Sequence, residues 1–413
     1  MGFSYWNFRN CSIQQCFALM KFDNLLRYTV RILESYAGEI PLQGFLKNFF
    51  RENPQMGSRD RKQVSEMAYC YFRLGHTLKS VSAEERILAG LFLTNQKKEP
   101  LLEYFRPEWF TLVEEPLGGK ISIVNEKFPG FHIEDIFPWK DQLSAGIDHF
   151  SFCLSFLKKP RLFIRIRPGH EKGLNAKLLK RQIDFLDADP DHSLPFKTFS
   201  FQSGTKLDDA FLLNREAVVQ DLSSQRTALY LNQGKEKITE AWDCCAGSGG
   251  KSILLADLYP GCKLTVSDIR ETILNNLQVR FQDAGIETSN LFKADLTDQH
   301  DLPHKKFSFI IADLPCTGSG TWSRNPESLY FFNSELLADY SQRQKKILTN
   351  ILPCLKSGGI LVYITCSVFS DENEKITTSI ETQTGLKPSQ QGLICGYDQG
   401  ADSMYAVRFN SVK

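Results

Sequence analysis

Two different periodicities divide the chain. Between residues 21 and 135 apolar positions recur at helical spacing, with Leu25, Leu26, Val30, Leu33 and Tyr36 on one stripe. The same pattern predicts helices over 42–50, 60–74 and 83–93, with an Asn-Pro turn at 53–54 and a Ser-Arg-Asp helix start at 58–60. Residues 20–135 therefore read as an all-α domain. From about Lys237 the rhythm changes. Short apolar or β-branched runs at 238–244, 263–267, 290–293, 307–312, 360–365 and 403–409 alternate with helical stretches, notably 271–284 and 335–352. Such alternation predicts the α/β class, a doubly wound and mainly parallel sheet, over 236–413. Between these parts, residues 136–235 read as a small α+β connector. Pro138, Pro160, Pro168, Pro190 and Pro195 punctuate it, and a helix is expected at 175–186.

Three domains suit a chain of 413 residues. Hydrophobic content of 42% with 31 Phe provides for a sizeable core, and no run of eighteen uncharged apolar residues appears, so no membrane span is expected. The first twenty residues lack the basic start followed by an apolar block, and the cleavage site, of a signal peptide. Met20 is expected as the true start, with 1–19 a disordered or over-called extension. Eleven cysteines, with no CxxC pair, argue against a disulfide framework and against a structural metal site. A reducing, cytoplasmic setting is expected, with thiols free for chemistry and no metal.

Net charge of +1 says nothing in favour of nucleic acid; its distribution says more. Between Lys158 and Arg181 there are nine Lys or Arg against one acid, Glu171. A solvated helix face is the bland explanation. Against it, Arg165 and Arg167 alternate with Phe163, Ile164 and Ile166 as in a strand with one cationic face. Such a face, with Lys158 and Lys159 before it, would neutralise RNA phosphates.

In a doubly wound sheet, ligands sit at the carboxyl ends of the strands. The first strand runs into Asp243, then Cys245-Ala246-Gly247-Ser248-Gly249-Gly250-Lys251-Ser252. A phosphate-binding P-loop needs glycine where Cys245 stands, and that reading fails; a dinucleotide fingerprint is weakened by Ser252. S-adenosylmethionine asks only for a glycine turn plus an acid ending the second strand for the ribose hydroxyls, and Asp268 fills that place. Asp295, ending the third strand, is placed to pair with the adenine amino group. Lys251 in a first helical turn opposes the helix dipole by roughly 0.3–1 kcal/mol. A ligand carboxylate or a nearby Asp would offset this; otherwise the side chain simply points to solvent.

Two more strands end in cysteine-bearing loops, Asp313-Leu314-Pro315-Cys316 and Thr365-Cys366-Ser367. Most cysteines are small core residues, which is the reading for Cys70, Cys153, Cys262 and Cys354. Cys316 and Cys366 instead face one cleft. Carbon 5 of cytosine is a poor nucleophile, and a thiolate adding at carbon 6 makes it enamine-like. An acid such as Asp313 near N3 would stabilise that adduct, and a second thiol or a water would serve when the carbon-5 proton leaves. The thiolate needs cationic neighbours or a helix start, and a helix is expected near 370–372. The base must also leave its stack.

These motifs, in this order, resemble the Sun/RsmB class of RNA (cytosine-5) methyltransferases and their Nol/Nop relatives. The segment 219–225 resembles the lead into the catalytic domain, 161–167 the strand of an RNA-facing insert, and 400–409 the final strand. Residues 21–135, with Gly57-Ser58-Arg59-Asp60-Arg61, are similar to a NusB-like RNA-binding domain. The resemblance implies a Rossmann-like fold, S-adenosylmethionine as cofactor, and RNA as substrate, ribosomal RNA favoured over tRNA. It also implies Cys366 as nucleophile, with Cys316 assisting product release; spacing alone leaves that choice open. Two departures stand out. Gly247-Ser248 replaces the family's Ala-Pro, which implies a floppier loop. After Gly318-Ser319-Gly320 only Arg324 is basic, leaving it to carry RNA contact there. Three alternatives compete. A dehydrogenase on this fold leaves both cysteines unexplained. An idle RNA scaffold requires Cys366 or the two cofactor acids to be missing, and a small-molecule methyltransferase has no use for the helical part and the basic insert.

Overall fold

Helices with a single apolar stripe must bury it against one another. In a computed structural model, which describes residues 13–207, 209–234 and 237–411, they do so within one compact unit. That unit comprises the described residues up to Pro138 together with Phe156–Lys158 and Asn325–Phe332. Its helices include Ile13–Ser35, Leu42–Glu52, Ser58–Arg73, Ala83–Thr94 and Leu117–Lys127. Ile32, Leu46, Val64, Phe72 and Phe92 are buried between them, and Phe92 stacks on Trp109 with ring centroids 5.0 Å apart. Ser82 caps the fourth of these helices by accepting a bond from the Glu85 amide. The first helix starts at Ile13, ahead of the start expected after Met20; residues 1–12 lie outside the described residues.

A short helix distant in sequence, Pro326–Phe331, completes this unit. Buried Glu327 accepts the amide of Leu42 at 3.0 Å, and Tyr330 and Phe331 pack their rings on Phe72. Nothing in the local pattern of six residues reveals that destination.

The second unit holds two sheets. The smaller consists of β1 (Leu162–Ile166), β2 (Leu186–Asp187), β3 (Thr198–Phe201) and β4 (Ala217–Val219), ordered β2-β3-β1-β4 and antiparallel throughout. The larger consists of β5 (Glu240–Asp243), β6 (Lys263–Asp268), β7 (Thr288–Lys293), β8 (Phe307–Asp313), β9 (Leu355–Thr365), β10 (Pro388–Ile394) and β11 (Met404–Asn410). Its order is β10-β11-β9-β8-β5-β6-β7, with β5 to β9 parallel and β11 antiparallel between β9 and β10. Strand order reverses between β5 and β8, so a crevice opens beyond their carboxyl ends. Among the described residues no helix is long and apolar enough to cross a membrane.

The expected three-domain division is corrected in one respect. Residues 136–235 do not stand alone: apart from Phe156–Lys158, those beyond Pro138 belong to the same unit as the large sheet. A buried ionic tie joins the two sheets. Arg165 and Arg167 of β1 both reach Asp257 on the helix Gly250–Leu258, at 2.6 and 2.8 Å. The helix expected over 175–186 is Glu171–Lys180, ending before Gln182, whose φ of 54° is incompatible with continuing it.

Candidate active site

Strand register brings the chemistry together. Asp243 at the end of β5 lies opposite Ile311 of β8, and Asp313 at the end of β8 lies opposite Ile364 of β9, two residues before Cys366. The loops after β5, β8 and β9 therefore emerge side by side.

The β5 loop turns on glycine. Gly249 has φ of 79°, and a Cβ there would sit 3.1 Å from Phe281 and 3.2 Å from Leu277. Glycine thus permits both the left-handed turn and close packing on the helix Glu271–Ala284. Although Gly247-Ser248 replaces the stiffer Ala-Pro, the loop is pinned. Gly247 donates its amide to Asp268 at 3.0 Å, Gly249 donates to Ala246 at 2.9 Å, and Arg280 donates to the Ser248 carbonyl at 2.5 Å.

Asp268 is nearly buried at the end of β6 and also receives the backbone amide and guanidinium of Arg270. Together these bonds hold its carboxyl below the usual range despite burial. The Arg270 side chain is 60% exposed, so it can swing away and leave the carboxylate to a ribose diol. Asp295, just past β7, is half-buried and accepts from Thr297 at 2.7 and 3.0 Å, which lowers its carboxyl. A buried acid, a cation, a glycine turn and Asp295 on adjacent strand ends suit the S-adenosylmethionine expected from the sequence.

Lys251 does not point to solvent. Its Nζ meets Asp313 at 2.6 Å, with the lysine side chain 11% exposed. Burial alone would favour the neutral amine, but Asp313, then Cys366 and Asp243, outweigh it and raise the Lys251 pKa. The cation therefore persists beside Asp313, within electrostatic reach of Cys366. Asp243 behaves oppositely: fully buried, with Ser252 its hydrogen-bond donor, it is pushed up to about 7.

Cys316 and Cys366 face each other at 3.3 Å between sulfurs. The hydrogen bond with Cys366, and then burial, push the Cys316 thiol well above the ordinary range. The helix expected near 370–372 begins at Glu374 instead, so residues 367–373 form an intervening loop. A buried polar set in that loop escaped the sequence reading. Glu372 accepts from Thr317 and Ser367, and Asn373 accepts from Thr365 and donates to Ser144 and to the Ser367 carbonyl. Gly320 donates its amide to the Cys366 carbonyl at 2.9 Å, joining the two loops again. The acidic run 371–374 was visible as composition, but nothing local tells which of its members turns inward.

Three of the expected RNA-facing residues are corrected. Arg165 is 1% exposed and Arg167 is also spent on Asp257, so β1 carries no free cationic face. Arg324 donates to Asp402 at 2.8 Å and to Asp221 at 2.5 Å, fixing loops of its own unit. Guanidinium groups drawn into the fold in this way need such acids, and these acids lie far away in sequence. Lys158 and Lys159 are exposed as expected. Of the four cysteines read as core, Cys70, Cys153 and Cys354 are buried and Cys262 is half-buried.

Fold and strand-end loops together define a Rossmann-like methyltransferase architecture. Two solved structures share it. The protein named PH0851 aligns over 94% of this chain and 98% of its own, with 17% identity and a TM-score of 0.66. NSun6 from Pyrococcus horikoshii, solved with SFG, aligns over 64% of this chain and 94% of its own, with 15% identity and a TM-score of 0.56. Residues 228–392 match the family model described as 16S rRNA methyltransferase RsmB/F. Among curated relatives, the ribosomal RNA small subunit methyltransferase B of Proteus mirabilis is 33% identical over 158 residues, covering 38% of this chain and 37% of that protein. Its counterpart from Salmonella paratyphi A is 31% identical over 199 residues, covering 46% of each chain. Over residues 228–392 the chain is similar to the RsmB/F methyltransferases. The matched region spans less than half the length of those relatives.

Proposed function

We propose that the protein is an S-adenosylmethionine-dependent RNA (cytosine-5) methyltransferase that acts on small-subunit ribosomal RNA through a covalent bond from Cys366 to carbon 6 of the target base. The observation that carries this reading is the pair of strand-end thiols 3.3 Å apart beside the Lys251–Asp313 ion pair. A dehydrogenase has no use for such a pair.

The cofactor, when bound, supplies an electrophilic methyl group. The loop from Cys245 to Lys251 would hold its methionine end, Asp268 its ribose and Asp295 its adenine. The chain's own residues do the rest. Lys251 favours the Cys366 thiolate, which adds to carbon 6 as the ring's electrons move towards N3. Asp313, bonded to Lys251, lies on the path by which a proton reaches N3. Once carbon 5 carries the methyl group, Cys316, its own thiol proton having first passed to water, takes up the carbon-5 proton as a thiolate. The electrons of that C–H bond form the carbon 5–carbon 6 double bond, and the carbon 6–sulfur bond breaks with its electrons on Cys366, which leaves as thiolate. N3 gives its proton back along the Asp313 path. Exposed Lys158 and Lys159 and the NusB-like helical unit are assigned to RNA contact.

The test is incubation of the full chain with unmodified small-subunit ribosomal RNA and methyl-labelled cofactor, followed by digestion to nucleosides. Label is expected in 5-methylcytidine. Label in any other nucleoside, or in transfer RNA alone, would overturn the assignment.

A further inference from the structure

Each cysteine is followed by a hydroxyl residue, Cys316 by Thr317 and Cys366 by Ser367. Both hydroxyls converge on one carboxylate. Glu372 accepts the Thr317 amide at 2.8 Å on one oxygen, and the Thr317 hydroxyl at 2.6 Å and the Ser367 hydroxyl at 2.5 Å on the other. Its side chain is fully buried, and its own carbonyl accepts the hydroxyl of Tyr363 on β9, which fixes the backbone that carries it. A buried carboxylate with three donors from two separate loops is costly to assemble unless the alignment itself matters.

Resting on the methyltransferase reading, we infer that Glu372 is a positioning residue that sets the spacing between Cys316 and Cys366. It touches neither base nor cofactor; it acts through the residue after each thiol. The nearby contacts support the same geometry. Ser319 accepts the amide of Val368 across the two loops, and Asn373 accepts the hydroxyl of Thr365 within the second.

Two substitutions in the full chain test this. Glu372→Ala removes all three acceptor bonds; Glu372→Gln keeps size and one acceptor and leaves the hydroxyls free to rotate. A misplacement near 1 Å costs about 100-fold in rate. Glu372→Ala is therefore expected to lower kcat for methyl transfer about 100-fold with the cofactor KM within about twofold, and Glu372→Gln to recover about tenfold of that loss.

A second readout does not depend on activity. Phenylarsine oxide bridges two adjacent thiols, forming two As–S bonds and releasing water. Wild type should bind one equivalent more than Cys316→Ser, in which the adjacent Cys244 and Cys245 can still react, and Glu372→Ala should hold that additional equivalent at least about tenfold more weakly. Unchanged kcat together with unchanged arsenical affinity in Glu372→Ala would overturn the inference and leave the proposed function intact. A wild type inactive on RNA whose arsenical binding still follows Glu372 would overturn the function and leave the spacing role. If Glu372→Ala fails to fold, Glu372→Gln decides: activity and arsenical affinity both equal to wild type would refute the need for a carboxylate.

Discussion

Gly320 is the tightest point of the site, and Gly320→Ala tests whether the position of the Cys366 loop limits the reaction. A Cβ at this position would lie 1.9 Å from the carbonyl oxygen of Ser403 and 3.0 Å from that of Cys366. Approaches under 3.0 Å are not tolerated, so the backbone must open by about 1 Å. It cannot open freely. Gly320 donates to Cys366 and accepts from the Ser403 amide, each at 2.9 Å, so the strain passes directly to the nucleophile's own peptide. About 1 Å of misplacement corresponds to roughly 100-fold in rate, or about 2.7 kcal/mol of barrier. Overpacking itself costs about 1–3 kcal/mol of stability, which a folded domain survives. The assay is single-turnover methyl transfer, with cofactor affinity measured calorimetrically and Gly118→Ala as control, since a Cβ at Gly118 meets nothing within 4 Å. The expected result is a loss of about 100-fold in rate with cofactor affinity nearly unchanged. A Gly320→Ala rate within threefold of wild type would refute the reasoning.

Three further outcomes are expected. Cys316→Ala should accumulate a covalent complex with ordinary RNA, seen as a band resistant to denaturing electrophoresis, because release then lacks its thiol; rapid turnover without accumulation contradicts this. Arg324→Met should destabilise the chain by about 2 kcal/mol or more in urea unfolding, since Asp221 and Asp402 are then left facing each other with burial already raising Asp402; weaker RNA binding at unchanged stability would instead restore an RNA contact. Asp243, held by burial at about 7 against a usual 3.8, keeps in the native state a proton that the unfolded chain releases. Stability should therefore fall as pH rises from about 4 to about 7, by on the order of 4 kcal/mol, and Asp243→Asn should flatten that slope. An identical pH dependence in Asp243→Asn counts against the buried carboxyl.

The inner strands β6 and β8 were legible because each is a short, mostly buried run closed by an acid at the crevice. Lys263–Asp268 and Phe307–Asp313 are seen almost to the residue, and helix Glu271–Ala284 stands at its expected bounds. The edge strand Pro388–Ile394 was not seen: Ser389, Gln390 and Gln391 give it neither alternation nor an apolar run, and pairing with β11 alone makes it a strand. That Asp268, Asp313, Cys316 and Cys366 fall at strand ends could be read from position. Partnerships across the sequence could not. Arg165 looked like a free cation because its partner Asp257 is 92 residues away, and Glu372 was one acid of three until the fold turned it inward. Charge can be read locally, whereas burial of charge is decided by tertiary contacts.

The bond between Cys366 and the pyrimidine can be observed directly. RNA containing 5-azacytidine at the target offers no carbon-5 proton to remove, so the adduct cannot resolve. After incubation with cofactor, ribonuclease treatment and proteolysis, mass spectrometry should find the nucleotide on the peptide bearing Cys366 and nowhere else, and Cys366→Ala should yield none. A nucleotide recovered on Cys316, or an adduct that persists in Cys366→Ala, would contradict the account.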